Sequence, residues 1–107
     1  MGFFKKKFVK NVSRDNEFLK GYAIKVNGLL IFVEENEKIS KELRLMMDDF
    51  QYTVASPSSE AKKIEKNIEK DFEALTALLQ QPDFEENEVL LAIRTIRRYI
   101  VEISSLR

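Results

Sequence analysis

The chain contains no cysteine, no histidine and no tryptophan, and only two prolines and three glycines. Without cysteine there are no disulfides, zinc-thiolate sites or thiol nucleophiles, and the redox compartment is left open. Without histidine, Ser-His-Asp catalysis, zinc-helix motifs and histidine switches are impossible within the chain. No apolar run is long enough to span a bilayer; the most apolar, Leu29 to Val33, is closed by Glu34 and meets Asn27 and Lys25 when extended backward. The start, Met1-Gly2-Phe3-Phe4-Lys5-Lys6-Lys7, is basic, but the residues after Lys7 are too polar for a signal peptide. Gly2 fails the myristoylation motif, because Lys6 stands where Ser or Thr is required. The expected localisation is therefore cytoplasmic, with a membrane-peripheral location as the alternative. Formal net charge is zero, so the molecule as a whole has no long-range attraction for nucleic acid or acidic membrane.

What the chain does have is helical periodicity. With 44% hydrophobic and 34% charged residues it suits exposed amphipathic helices rather than disorder. A ladder of four- and three-residue steps runs from Tyr22 through Val26, Leu29, Val33, Asn36, Ser40, Leu43, Met47 and Phe50 to Val54. No proline interrupts the stretch from Asp15 to Ala55, and Gly21 and Gly28 each cost a helix only about 1 kcal/mol. The spacing predicts one long helix there. Ser56 as N-cap and Pro57 at the first helical position predict a second, with Ala61, Ile64, Ile68, Phe72, Leu75, Leu78 and Leu79 on its apolar face. Asp83, three residues before Glu86, predicts a third from Phe84, with Val89, Ile93, Ile96, Ile100 and Ile103 in its stripe and Leu90 and Leu106 widening it.

The fold expected is all-α, an antiparallel bundle of three long helices in residues 15–107, preceded by a basic, aromatic, flexible segment over 1–14. Length supplies the alternative. A first helix of about 40 residues would be about 60 Å long, against about 36 and 33 Å for the later two. Breaking it near residues 34–37 gives a four-helix up-down-up-down bundle instead. Turn chemistry favours continuity, since Glu34-Glu35-Asn36-Glu37 contains neither Gly nor Pro. Asn36 and Ser40 put two polar groups in the seam, either to fix register or because the seam is exposed where a helix turns. No internal repeat or phosphate-cradling loop is apparent, and no cofactor is implied.

Three constellations are candidates for function. Leu29-Leu30-Ile31-Phe32-Val33 covers more than one helical face, so it points to an interface made by Tyr22, Val26, Leu29, Leu30, Ile31, Phe32, Val33 and Asn36. Phe3, Phe4, Lys5, Lys6, Lys7 and Phe8 combine rings with lysines in the manner of a membrane-surface contact, although a frayed, solvated terminus is the commoner explanation of a lysine run. Arg94, Arg97 and Arg98 could grip an anionic partner, or pair with Glu65, Glu69 or Glu73 across the bundle. The acids Glu34, Glu35 and Glu37, and Asp48 with Asp49, lack the histidine that carboxylate-bridged bundle sites use. The expectation is a non-enzymatic helical interaction or scaffolding module, forming a homodimer or binding another helical protein. A peripheral membrane-surface protein is the alternative; neither nucleic acid nor a small-molecule substrate is inferred.

Overall fold

A computed structural model describes residues 17–106. Every regular element among them is helical: α1 over residues 17–29, a 3-10 turn at Leu30–Val33, α2 at Glu37–Tyr52, α3 at Ser59–Leu79 and α4 at Glu86–Ser105. The all-α expectation holds, but the long first helix does not. It stops after residue 29, tightens into the 3-10 turn and restarts at Glu37. The two polar residues of the seam make this break without Gly or Pro. Asn36 leaves the helical conformation (φ −105°, ψ 95°), and its Oδ1 accepts from Ile39 N at 3.0 Å. Ser40 Oγ donates to the Val33 carbonyl at 2.7 Å, and Asn36 N donates to the same oxygen at 2.9 Å. The chain end left by the 3-10 turn is thus satisfied, as is one of the orphan donors of α2. Glu37 adds a favourable charge in the first turn. The length mismatch supplies the driving force, because folding back buries apolar side chains that shorter neighbours could not cover.

The later boundaries differ from expectation by a few residues. α2 ends at Tyr52, and a link without regular structure over residues 53–57, extended at Thr53, comes after it. Ser58, two positions after the expected cap, is the N-cap of α3 and accepts from Ala61 N at 3.1 Å. Ser56 is buried instead and braces the turn, its Oγ accepting from Ser58 N and donating to Ser58 Oγ. α4 begins at Glu86 rather than Phe84, with no side-chain cap. Phe84 precedes the cap and packs on the core, while Val89, the fourth helical residue, is fully buried. This is the arrangement of a hydrophobic staple, and it sets the entry angle where the expected Asp83 cap does not.

All four helices contribute to one apolar cluster: Leu19, Val26 and Leu29 from α1, Leu43, Met46 and Phe50 from α2, Ile68 and Leu75 from α3, Ile93, Ile96 and Ile100 from α4. Met46, not Met47, lies at the centre of the α2 face, and Val54 is exposed beyond the end of the helix. Tyr22 joins three elements, its ring 5.5 Å from Phe50 and 4.9 Å from Phe72, centroid to centroid. Polar contacts tie α2 to α4 at successive levels. Asn36 and Lys38 reach Glu86, Glu42 lies near Arg94, and Asp49 takes Arg97. Residue numbers rise together along both helices, so α2 and α4 run side by side in the same direction.

Candidate interaction surface

The fold divides the expected interface into two groups. Tyr22, Val26, Leu29 and Val33 are buried in the core of their own chain, so they present no face to a partner. Their spacing was a core signal, and folding back supplies the cover that a second copy was expected to provide. Leu30 is half-buried against the core, whereas Ile31 is 68% and Phe32 46% exposed. Asn36 is committed to the break, its Nδ2 donating to Glu86 Oε2 at 3.0 Å. Phe3, Phe4, Lys5, Lys6, Lys7 and Phe8 lie outside the described residues.

Ile24, which the ladder passed over, is 73% exposed. It belongs with Ile31: each stands two residues beyond a seam position, Tyr22 or Leu29, and a step of two turns a helical side chain by about 200°, away from the core. That offset was readable in the sequence. Beside Ile24, Lys20, Ala23 and Asn27 of α1 face Met47 and Gln51 of α2 across a shallow groove. Around Ile31 the groove continues past Leu30, Glu34 and Arg44. Lysine, arginine and glutamate together surround this apolar strip.

A second concavity, of about 830 Å³, lies where the α1–α2 turn meets the start of α4. Ile31, Phe32, Val33 and Phe84 give it an apolar lining, and Glu34, Glu35, Asn36, Glu37 and Glu86 a polar one. Lys38 Nζ stands 3.8 Å from Glu86 Oε1. Among the described residues no group of three or more acids is placed to hold a metal ion.

The arginines face α2 rather than α3. Arg97 Nε donates to Asp49 Oδ2 at 2.6 Å and Arg97 Nη1 lies 3.9 Å from Glu42, which also lies 4.0 Å from Arg94. The expected pairing with Glu65, Glu69 or Glu73 is corrected accordingly; α4 turns this side to α2. Glu65 is itself buried, with Lys62 Nζ 3.7 Å from its Oε1. Arg98 is exposed.

Tyr22 is a polar group altered by its surroundings. Burial pushes its hydroxyl above the ordinary value of 10.0, and the negative charges of Glu69 and Glu73 push it further the same way. Lys25 Nζ sits 4.5 Å from the ring centroid, a cation–π contact at the margin of the core.

No known family, curated protein or solved structure matches this chain. Its function therefore has to be argued from these surfaces alone. No described helix is long and apolar enough to cross a membrane.

Proposed function

We propose that this chain is a non-enzymatic helical interaction module that self-associates through the outer side of α1 and of the 3-10 turn that follows it, centred on Ile24 and Ile31 with the half-buried Leu30 beside the latter. The observation that carries the reading is the exposure of two isoleucines, 73% and 68%, on the side of the segment turned away from the core. Burying both fully would be worth about 1.5 to 3 kcal/mol each, set against the entropic cost of association. The neighbouring Lys20, Arg44 and Glu34 carry both signs, so two copies can meet without a net repulsive field.

The same reading takes the four helices as an up-down-up-down bundle. Contact of Tyr22 with both Phe50 and Phe72, and the common direction of α2 and α4, support that arrangement. The module is then a dimer of cytoplasmic bundles, or a bundle that offers the α1 face to another helical protein.

Light scattering coupled to size exclusion, at several concentrations, tests it. The wild-type mass is expected to rise toward twice the chain mass, while Ile24→Lys and Ile31→Lys stay monomeric with unchanged helical circular dichroism. A wild-type monomer at every concentration refutes self-association.

A further inference from the structure

Gly28 stands within α1 with nothing in its own chain to require it. Its φ is not positive, and a Cβ built there would meet no atom within 4 Å. Glycine is a poor helix former, so its place on an exposed surface calls for another reason. The residues around it supply one. Lys20, Ile24, Asn27, Ile31 and Glu34 follow one another at steps of four and three, all exposed, and Gly28 shares the middle of this outer stripe with Asn27. About that middle the stripe is nearly a palindrome, isoleucine answering isoleucine and a base at one end answering an acid at the other. Such a surface complements itself when turned end for end, which is what a two-fold axis does.

We propose that two copies of the chain pair antiparallel through this stripe, about a two-fold axis beside Asn27 and Gly28, with Ile24 of each against Ile31 of the other and Lys20 against Glu34.

Self-association through α1, as proposed above, is presupposed; what is added is the register and the residues that impose it. The grooves beside the stripe fit the pairing. One, of about 430 Å³, lies beside Ile24 and the other, of about 350 Å³, beside Ile31, and Asn27 lines both. Turned about Asn27, each isoleucine of one copy meets a groove between α1 and α2 of the other, as a knob meets a hole. Gly28 lets the two backbones close on each other at the axis, where a side chain would hold them apart. Charge fixes the direction, because parallel pairing would set lysine against lysine and glutamate against glutamate. Neither Lys20 nor Glu34 has an ion-pair partner among the described residues, so both are available to a second copy. A patch about 25 Å long and two helices, about 20 Å, wide buries about 1,000 Å² between two copies, the threshold of a specific interface, so pairing is weak and reversible.

Light scattering of the full-length chain across a concentration series at low salt reads the dimer, with helical circular dichroism of each variant expected to match wild type. Lys20→Glu and Glu34→Lys, both at exposed positions, should each weaken the dimer about tenfold, since each turns two attractive contacts repulsive. An equimolar mixture of the two variants should regain wild-type affinity, and so should the chain carrying both changes. Gly28→Gln adds a test of sign: the melting temperature, measured where the chain is monomeric, should rise while the dimer weakens. A wild-type chain that stays monomeric throughout overturns self-association and the pairing with it. A wild-type dimer that is indifferent to either charge reversal, that is not restored when the reversals are combined, or that forms equally well with Gly28→Gln overturns the antiparallel pairing alone and leaves self-association standing.

Discussion

Replacing Asn36 by alanine tests the break in the first segment by sign as well as by size. In the folded-back chain Asn36 caps α2 through Ile39 N and bonds to Glu86, each at 3.0 Å. Losing the cap costs about 1 kcal/mol. The contact with Glu86 is part-buried, so water recovers some of it and its loss adds about 1 kcal/mol more. The sum is about 2 kcal/mol of destabilisation, or a fall in Tm of about ten degrees for a domain of this size. A continuous helix predicts the opposite, because alanine is the better helix former by about 0.5 kcal/mol and a polar group would leave the seam. Ser40→Ala makes a second sign test. Its hydroxyl is buried against the Val33 carbonyl, which keeps its bond from Asn36 N, so about 1 kcal/mol is lost rather than the full cost of an orphaned group. Urea unfolding followed by far-ultraviolet circular dichroism reads both, with an unchanged m-value as the check that only stability moved. A midpoint that rises in either variant, or stays put in both, refutes the account of the break.

Two further expectations concern side chains that join helices. A double-mutant cycle with Asp49→Asn and Arg97→Met should give a coupling of about 1 kcal/mol that shrinks in salt, and a coupling of zero would mean that the 2.6 Å contact holds nothing together. Tyr22 should make the protein lose stability in alkali: unfolded tyrosine ionises near pH 10 while the folded hydroxyl, raised by burial and by Glu69 and Glu73, keeps its proton, so its contribution is complete below that pH and declines as the folded value is approached. Tyr22→Phe should flatten that part of an alkaline series of urea midpoints relative to wild type; equal slopes in the two would refute the assignment.

The parts of the fold that the sequence revealed are those built on apolar spacing. Ile68, Phe72 and Leu75, and Val89, Ile93, Ile96, Ile100 and Ile103, are all buried where their period places them. The break was hidden because it depends on where two short polar side chains bond. Asn36 and Ser40 occupy seam positions whether the helix continues or turns, and only the bonds to Ile39 N and to the Val33 carbonyl separate the cases. The shift from Ser56 to Ser58 has a similar origin: either serine is chemically able to cap, and burial of the first leaves the second to do so. On the surface, Ile24 could have been found from its offset to the seam. The acidic cleft could not, since it brings Phe84 and Glu86 to Glu34 and Glu35 only after the chain has turned back.

The position of the break is also tied to the neighbour of α2. The buried residues of α2 are Ile39, Ser40, Leu43, Met46 and Phe50, and those of α4 include Val89, Leu90, Ile93, Ile96 and Ile100. The spacing is identical and the shift is that of the bonded pair Asn36 and Glu86, 50 residues. No sequence repeat marks it, because residue types differ at most of the matched positions. Since both helices run the same way, the shared spacing brings equivalent levels opposite one another, with polar contacts at the start and at Glu42 and Asp49 further along. Starting α2 one residue earlier or later would rotate it by about 100° and carry Leu43 and Phe50 off the core. The Asn36 cap therefore does more than end a turn. By fixing where α2 begins it sets the rotation at which α2 meets α4, which gives a reason for a polar residue in the middle of an apolar seam.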